Sequence, residues 1–311
     1  MVSRRDDRMT STPAVDVLRP FQLDRSLLRG RFVRLGDTVD YVLRAHDYPQ
    51  AVSDLLGELL VLAGALAGGL KFAGTFSLQV RSDGPVRLLV ADCTNEGRMR
   101  GWASFDAEGV AAAETPAAFQ LLGKGLLALT VDQSKEGGET YQGIVDLSGD
   151  SLASCMLNYF HRSEQVPTGI RVAIGRDSMT DRWQAGAIVV QATPGARPED
   201  GGEATENWQR TMLLLLTARD EELLDPGLQP DDLLYRLFHE EDVRVYRPLS
   251  LVPGCSCDEE RVVAVLKSFD AEDVAEMREP DGGITVTCQF CNRSYRFDEA
   301  RLRDLLGQRS H

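Results

Sequence analysis

The residues whose types and spacing carry chemistry lie near the end of the chain. Six cysteines occur among the 311 residues, and four of them, Cys255, Cys257, Cys288 and Cys291, fall within the last 57. The pattern is Cys-x-Cys, 30 intervening residues, then Cys-x-x-Cys. Two short pairs of this kind suit one tetrahedral four-thiolate zinc ion, with Zn–S bonds of about 2.3 Å. His46, His161, His239 and His311 all lie outside the span from Cys255 to Cys291, so they add no ligand between the pairs. Four thiolates leave no open coordination position for water, which makes hydrolytic metal chemistry the wrong expectation. Two other classes stay open on these residues. A zinc-ribbon nucleic-acid module is one, because Arg293, Arg296, Arg301 and Arg303 follow the last cysteine, although residues 251–311 hold 12 acids against 8 bases and no basic stripe. A thiol oxidoreductase using Cys288 and Cys291 is the other, although that motif belongs beside a βαβ pattern with one exposed thiolate of low pKa.

The departure within the pattern is the Cys-x-Cys half, since structural zinc sites mostly use spacers of two to four residues. Thiolates this close can leave the metal and be oxidised. A unit of about 60 residues buries too little surface to be secure alone. Structural zinc contributes about 10–16 kcal/mol, comparable to the stability of a whole domain. The physical logic favours a switch in which oxidation ejects the zinc and unfolds the unit.

The elements ahead of this cluster read as α+β. Residues 1–15 form a flexible tail, 16–198 a core domain, 199–250 an acidic helical linker region and 251–311 the zinc unit. In the core, residues 51–70 recur in leucine at helical spacing (Leu55, Leu59, Leu62, Leu66), with Gly64, Gly68 and Gly69 positioned for close packing. Strands around 74–82 and 85–91 flank the turn Ser82-Asp83-Gly84-Pro85. Thr115-Pro116 reads as the start of a helix through Leu121, Leu122 and Leu126. Strands follow over 129–133 and 139–147, joined by Lys135-Glu136-Gly137-Gly138, then a helix over 151–161 and strands over 170–175 and 185–192. In the last unit, Val262, Val265, Leu266 and Phe269 share a helix face, Ile284, Val286 and Cys288 have strand spacing, and Leu302, Leu305 and Leu306 mark a terminal helix.

Charge narrows the function. A net of −14 is the wrong sign for neutralising phosphates over a broad face, so no nucleic-acid partner is expected. The most apolar charge-free run has 12 residues, short of the roughly 20 that span a bilayer, and the N-terminus lacks the apolar core of a secretion signal. The expectation is a reducing, cytoplasmic setting and no membrane. Residues 199–242 carry 13 acids against three bases, a net of −10, together with apolar helical positions Leu215, Leu216, Leu234, Leu237 and Phe238. Such helices repel themselves and depend on docking.

Other features read as structural. Gly123-Lys124-Gly125 lacks the glycine spacing and following Ser/Thr of a phosphate loop, so no nucleotide is expected. Ser163-Glu164-Gln165 suits turn and capping work better than catalysis. Cys93 and Cys155 lie among apolar residues and read as inert thiols. Asn292-Arg293-Ser294 matches a glycosylation sequon without the compartment that would use it.

From about Val33 to the terminal helix the chain resembles the redox-regulated chaperones of the heat-shock protein 33 family. The resemblance rests on the two cysteine pairs at this separation, on Tyr159-Phe160-His161-Arg162-Ser163-Glu164-Gln165-Val166-Pro167-Thr168, and on Gly123-Lys124-Gly125 and Tyr141-Gln142-Gly143. The longer N-terminal tail and the more acidic middle region depart from it. The resemblance implies an ATP-independent holdase, not an enzyme, inactive while reduced with one zinc on Cys255, Cys257, Cys288 and Cys291. It implies disulfides Cys255–Cys257 and Cys288–Cys291 after oxidation, undocking of the acidic region, binding of unfolded client proteins, and a homodimer on activation.

Overall fold

The computed structural model describes residues 16–113, 117–133 and 137–307. The tail 1–15, the Thr115-Pro116 start signal, the Lys135-Glu136 half of a turn, and His311 lie outside the described residues. The chain divides into two compact units, Met1–Pro253 and Gly254–His311.

Unit one is built on helix α2 (Gln50–Ala67), which follows the short helix α1 (Asp37–Arg44). Nearly every side of α2 is apolar, and a helix apolar all round must be covered all round. Two antiparallel-rich sheets do this. The first joins β1 (Val17–Leu23), β2 (Leu28–Leu35), β8 (Thr168–Arg176) and β9 (Trp183–Ala192). The second joins β3 (Thr75–Ser82), β4 (Val86–Thr94), β5 (Arg98–Phe105), β6 (Gly125–Asp132) and β7 (Tyr141–Asp146). Among the described residues α2 is the one helix long and apolar enough to cross a membrane, and most of it is buried between these sheets. Small residues allow the approach: Gly57 lies against Ile174 of β8, and Gly101 of β5 lies against Leu56 and Leu60. Helix α4 (Leu152–Tyr159) adds Leu152, Cys155, Met156 and Tyr159 to this core, and the short helix α3 (Ala107–Ala112) buries none of its residues.

The β3–β4 hairpin forms as the turn signal predicts, with Leu78 opposite Ala91. The helix expected through Leu126 does not. Residues 118–122 make a single 3-10 turn, Gly123 adopts φ +63°, and β6 begins at Gly125. The leucines at 121, 122 and 126 imitate helical spacing, but Leu127, Leu129 and Val131 alternate at period two and pair with β3, and that long-range register wins. Gly123-Lys124-Gly125 serves the same junction, the Lys124 N–H donating to Asp83 Oδ1 at 2.7 Å.

The acidic region forms α5 (Glu203–Leu216), α6 (Asp220–Leu224) and α7 (Pro230–Phe238). It lies on the outer face of the first sheet. Strand alternation gives that sheet two apolar faces: Val33, Leu35, Ala187 and Val189 face α2, while Phe21, Phe32, Ile188 and Val190 face Leu215, Leu223, Leu233, Leu234, Leu237 and Phe238. Leu216, expected to be buried, is 70% exposed, one position off the docked stripe. Phe21 stacks on Phe238 with ring centroids 5.7 Å apart. At Gly186 of β9 the backbone of α6 comes so close that a Cβ would sit 2.7 Å from the Leu223 carbonyl oxygen.

Not all the acidic charge is left to repel itself. Glu241 is fully buried and takes two bonds from Arg210, at 2.5 and 3.2 Å. Asp231 pairs with Arg19 of β1 at 2.7 Å, and Asp220 pairs with Arg171 of β8. Burial pushes the Glu222 carboxyl up, but Arg219 and Arg236 outweigh it and hold it below the usual carboxylate range. The strongest fixture is Arg34 of β2, 2% exposed, which donates to the carbonyls of Leu223 (2.9 Å), Leu228 (2.6 Å) and Glu222 (3.0 Å). Burial lowers its pKa to about 10, with Asp225 opposing the shift, so it stays charged at neutral pH.

After α7 the chain runs back along the sheet edges. Strand β10 (Val243–Val245) and β11 (Leu249–Ser250) pair with β1, and β12 (Val252–Pro253) pairs with β5. Unit two holds α8 (Glu259–Ser268), α9 (Ala271–Glu276), the hairpin β13 (Ile284–Thr287) and β14 (Ser294–Phe297), and α10 (Glu299–Gly307). Its core is small: Val262, Leu266, Val274, Ile284, Phe297 and Leu302. Phe269 and Leu305 pack at its margin, whereas Val265 is 54% exposed.

Arg34→Met keeps the volume and removes three donors from buried carbonyls, which should weaken docking of residues 220–238 by about 2–4 kcal/mol. Limited proteolysis between α5 and α7 should then accelerate while the strands of unit one stay resistant. An unchanged cleavage rate would show that the guanidinium does not hold the segment.

Candidate functional site

Cys255 and Cys257 lie in the extended stretch ahead of α8, whose start is fixed by Asp258 accepting the Arg261 N–H at 2.8 Å. Cys288 and Cys291 lie at the tip of the β13–β14 hairpin. There the Cys288 N–H donates to the Arg293 carbonyl (2.9 Å), the Asn292 N–H donates to the Cys288 carbonyl (2.8 Å), and Asn292 adopts φ +55°. That tight turn brings two residues three apart to one side, facing the first pair. Asn292, the sequon residue, is thus a turn-former.

All four sulfurs lie within 4.8 Å of one another, half-buried. Cys255 Sγ is 3.6 Å from Cys288 Sγ, and Cys257 Sγ is 3.3 Å from Cys291 Sγ. Four Zn–S bonds of about 2.3 Å at tetrahedral angles put sulfurs about 3.8 Å apart, so the cluster has the donor set and the size for such an ion. The four cysteines are positioned to bind a metal ion. These 3.3 and 3.6 Å contacts run between the two motifs.

The thiols are not equivalent. Burial raises Cys257, but hydrogen bonds from the Tyr295 hydroxyl, at 3.3 Å, and from the neighbouring thiols outweigh it and bring the pKa down to about 7. Burial drives Cys255 up to about 12, with hydrogen bonds to Cys257 and Cys288 adding to the rise, and burial also raises Cys291. A cation bound among them would favour the thiolate form of every ligand. Tyr295 was not among the residues the sequence singled out. Its signal is its place in β14, four positions after Cys291.

The other cysteines are different. Cys93 and Cys155 are buried in the core of unit one, and burial raises both pKa values, that of Cys93 to about 12. Such thiols are poor nucleophiles. In the signature segment, the Tyr159 and Tyr141 hydroxyls donate to Glu164 at 2.5 and 2.7 Å, and Gln165 closes the turn at φ +52°. Gly143 is required beside them, because a Cβ there would meet the Tyr159 ring at 2.5 Å.

A mixed α/β unit with an acidic helical cover, followed by a small unit built round four convergent cysteines, defines the class of protein. Residues 16–298 match the family described as Hsp33 protein. The 33 kDa chaperonin of Caulobacter vibrioides (strain NA1000 / CB15N) is 42% identical over 289 residues, covering 91% of this chain and 95% of that one. The 33 kDa chaperonin of Pseudomonas fluorescens (strain SBW25) is 39% identical over 300 residues, 96% of each. The crystal structure of the 33 kDa chaperonin (heat shock protein 33 homolog) from Thermotoga maritima matches the fold with a TM-score of 0.80 over 95% of this chain and 99% of that chain, at 23% identity. This chain belongs to the Hsp33 family of chaperones, and the match begins at residue 16, earlier than the signature residues alone indicate.

The buried core of unit two among the described residues is small for a unit of this length, so a metal held by the four cysteines is expected to carry much of its stability. A strong chelator applied under reducing conditions should abolish amide protection in β13 and β14 and leave the strands of unit one unchanged. Protection of β13 that survives complete metal removal would show that the hairpin folds without the cluster.

Proposed function

We propose that this protein is a redox-regulated, ATP-independent holdase of the cytoplasm, not an enzyme, in which the four cysteines act as the sensor and the outer face of the first sheet as the chaperone surface. The observation that carries the reading is the convergence of four sulfurs within 4.8 Å in a unit whose buried core, among the described residues, is six side chains. Zinc is the metal that a closed set of four thiolates selects, and when bound it supplies cross-linking and no open position for chemistry. Cys255, Cys257, Cys288 and Cys291 would hold it.

Peroxide oxidises a thiol pair to a disulfide, taking two electrons and two protons and leaving two waters. Each pair so oxidised withdraws two donors from the metal. We assign the pairs as Cys255–Cys257 and Cys288–Cys291. The reduced geometry, with sulfur contacts of 3.3 and 3.6 Å between motifs, does not select this pairing. Closure over one or two residues does, once the site opens, because it is far more probable than closure over thirty.

The consequence reaches the acidic helices through the chain itself. Pro253 ends unit one, and Cys255 follows two residues later. Unfolding unit two frees the segment that zips β10, β11 and β12 along the sheet edges. Opposed by residual acidic repulsion, α5–α7 then depend on side chains each worth about 1.5–3 kcal/mol when fully buried, on the Arg34 clamp and on a few ion pairs. Undocking would uncover Phe21, Phe32, Ile188 and Val190 as a continuous apolar face, the kind of surface unfolded clients bind. Activated copies would pair as a homodimer through such surface.

The test treats reduced, zinc-loaded protein with hydrogen peroxide at raised temperature. Loss of four thiols, release of one zinc per chain and suppression of a client's aggregation should rise together, and peptide mapping should recover the two neighbour disulfides. Holdase activity that appears with zinc retained, or mapping dominated by Cys257–Cys291 and Cys255–Cys288 links, would contradict the reading.

A further inference from the structure

Beyond the end of α2, between the two sheets of unit one, lies a crevice of about 220 Å³. Leu66, Phe76, Leu129, Val131 and Phe160 give it an apolar body, and Leu70, 46% exposed, stands at its mouth. That volume exceeds the ~150 Å³ cavity that holds a benzene ring in an engineered core. A dry apolar crevice would need no further account. This one has a cation in its wall.

Arg31 of β2 points toward α2, on the same strand face as Val33 and Leu35, and its guanidinium lies over Gly69, where a Cβ would sit 2.2 Å from Cζ. It donates to Gln191 Oε1 at 2.8 Å, but among the described residues no carboxylate pairs with it. Burial lowers its pKa to about 10 and Arg29 adds to that, so the charge persists at neutral pH without a counter-ion. The C-terminus of α2 supplies about half a negative charge at most, and a partly desolvated guanidinium favours a full anion. The crevice also contains Glu164, which makes no ion pair with Arg31. It already accepts the Tyr141 and Tyr159 hydroxyls, so those donors are taken and Arg31 is the charged donor left in the lining for a ligand.

We propose that this crevice binds a small monocarboxylate with a compact apolar body, such as an arylalkanoate. The carboxylate takes the fork of Arg31, which suits two-point recognition, and the ring fills the space between Phe76, Leu129 and Phe160. The inference rests on unit one alone and is independent of the redox reading.

The test uses the full reduced, zinc-loaded chain and titration calorimetry with phenylacetate, phenylacetamide and phenethylammonium as probes. Phenylacetate should bind about tenfold tighter than the amide, the increment of one charge-assisted pair, and the amine should bind least. Arg31→Met should abolish the preference for acid over amide. Leu70→Trp, a change at an exposed position, should weaken acid and amide alike by filling the mouth, and it serves if Arg31→Met fails to fold. Equal affinity for acid and amide, preference for the amine, no saturable binding at millimolar concentration, or full acid binding by Leu70→Trp would each overturn the proposal.

Discussion

The outer face of the first sheet is apolar, and within unit one an acidic helical segment covers it. Strand alternation alone does not require this, since an antiparallel sheet can leave its second face to water. With α2 demanding leucine and valine from one face, the opposite positions of β1, β2 and β9 carry Phe21, Phe32, Ile188 and Val190, which must also leave water. A sheet coated on both sides is ordinary. What distinguishes this one is that its second coat combines net negative charge, short helices and a buried cation reaching across to hold it.

That combination makes the coat conditional. Arg34 is placed so that its three bonds go to backbone carbonyls, two in α6 and one at Leu228 in the turn after it, which any sequence there would offer. It therefore holds the conformation of the segment rather than particular side chains. When the segment leaves, the same guanidinium gains water, so undocking does not strand a buried charge. Arg19 and Arg171 soften the repulsion among the acids without cancelling it. Stability here is a balance of terms each of a few kcal/mol, and a distant change of similar size can tip it.

Much of this was legible in the sequence, and the failures have physical causes. The cysteine spacing gave the cluster because four thiols at two short separations have few other uses in one small unit. The helix at 51–70 and the β3–β4 hairpin were carried by periodicity and a turn signal. The stretch at 118–126 was misread because Leu121 and Leu122, five and four positions before Leu126, imitate a helix, and the pairing of β6 with β3 that overrides them joins residues 43 to 57 positions apart. Leu216 and Val265 were placed on buried faces because a helical stripe read from sequence is uncertain by one position at its margin. Arg34 and Arg31 were not singled out, since nothing local distinguishes a strand arginine that reaches a distant helix, or a crevice, from one that reaches water. Only the fold brings their partners to them.

The central claim is that residues 203–241 are folded because they are docked, and that oxidation of the cysteine cluster undocks them. Amide hydrogen exchange on the reduced, zinc-loaded protein and on the peroxide-activated protein tests it directly. The account predicts strong protection in α7 before activation and its loss afterward, with β2, β8 and β9 protected throughout. Equal protection of α7 in the two states would contradict it, even for a protein that had become an active chaperone.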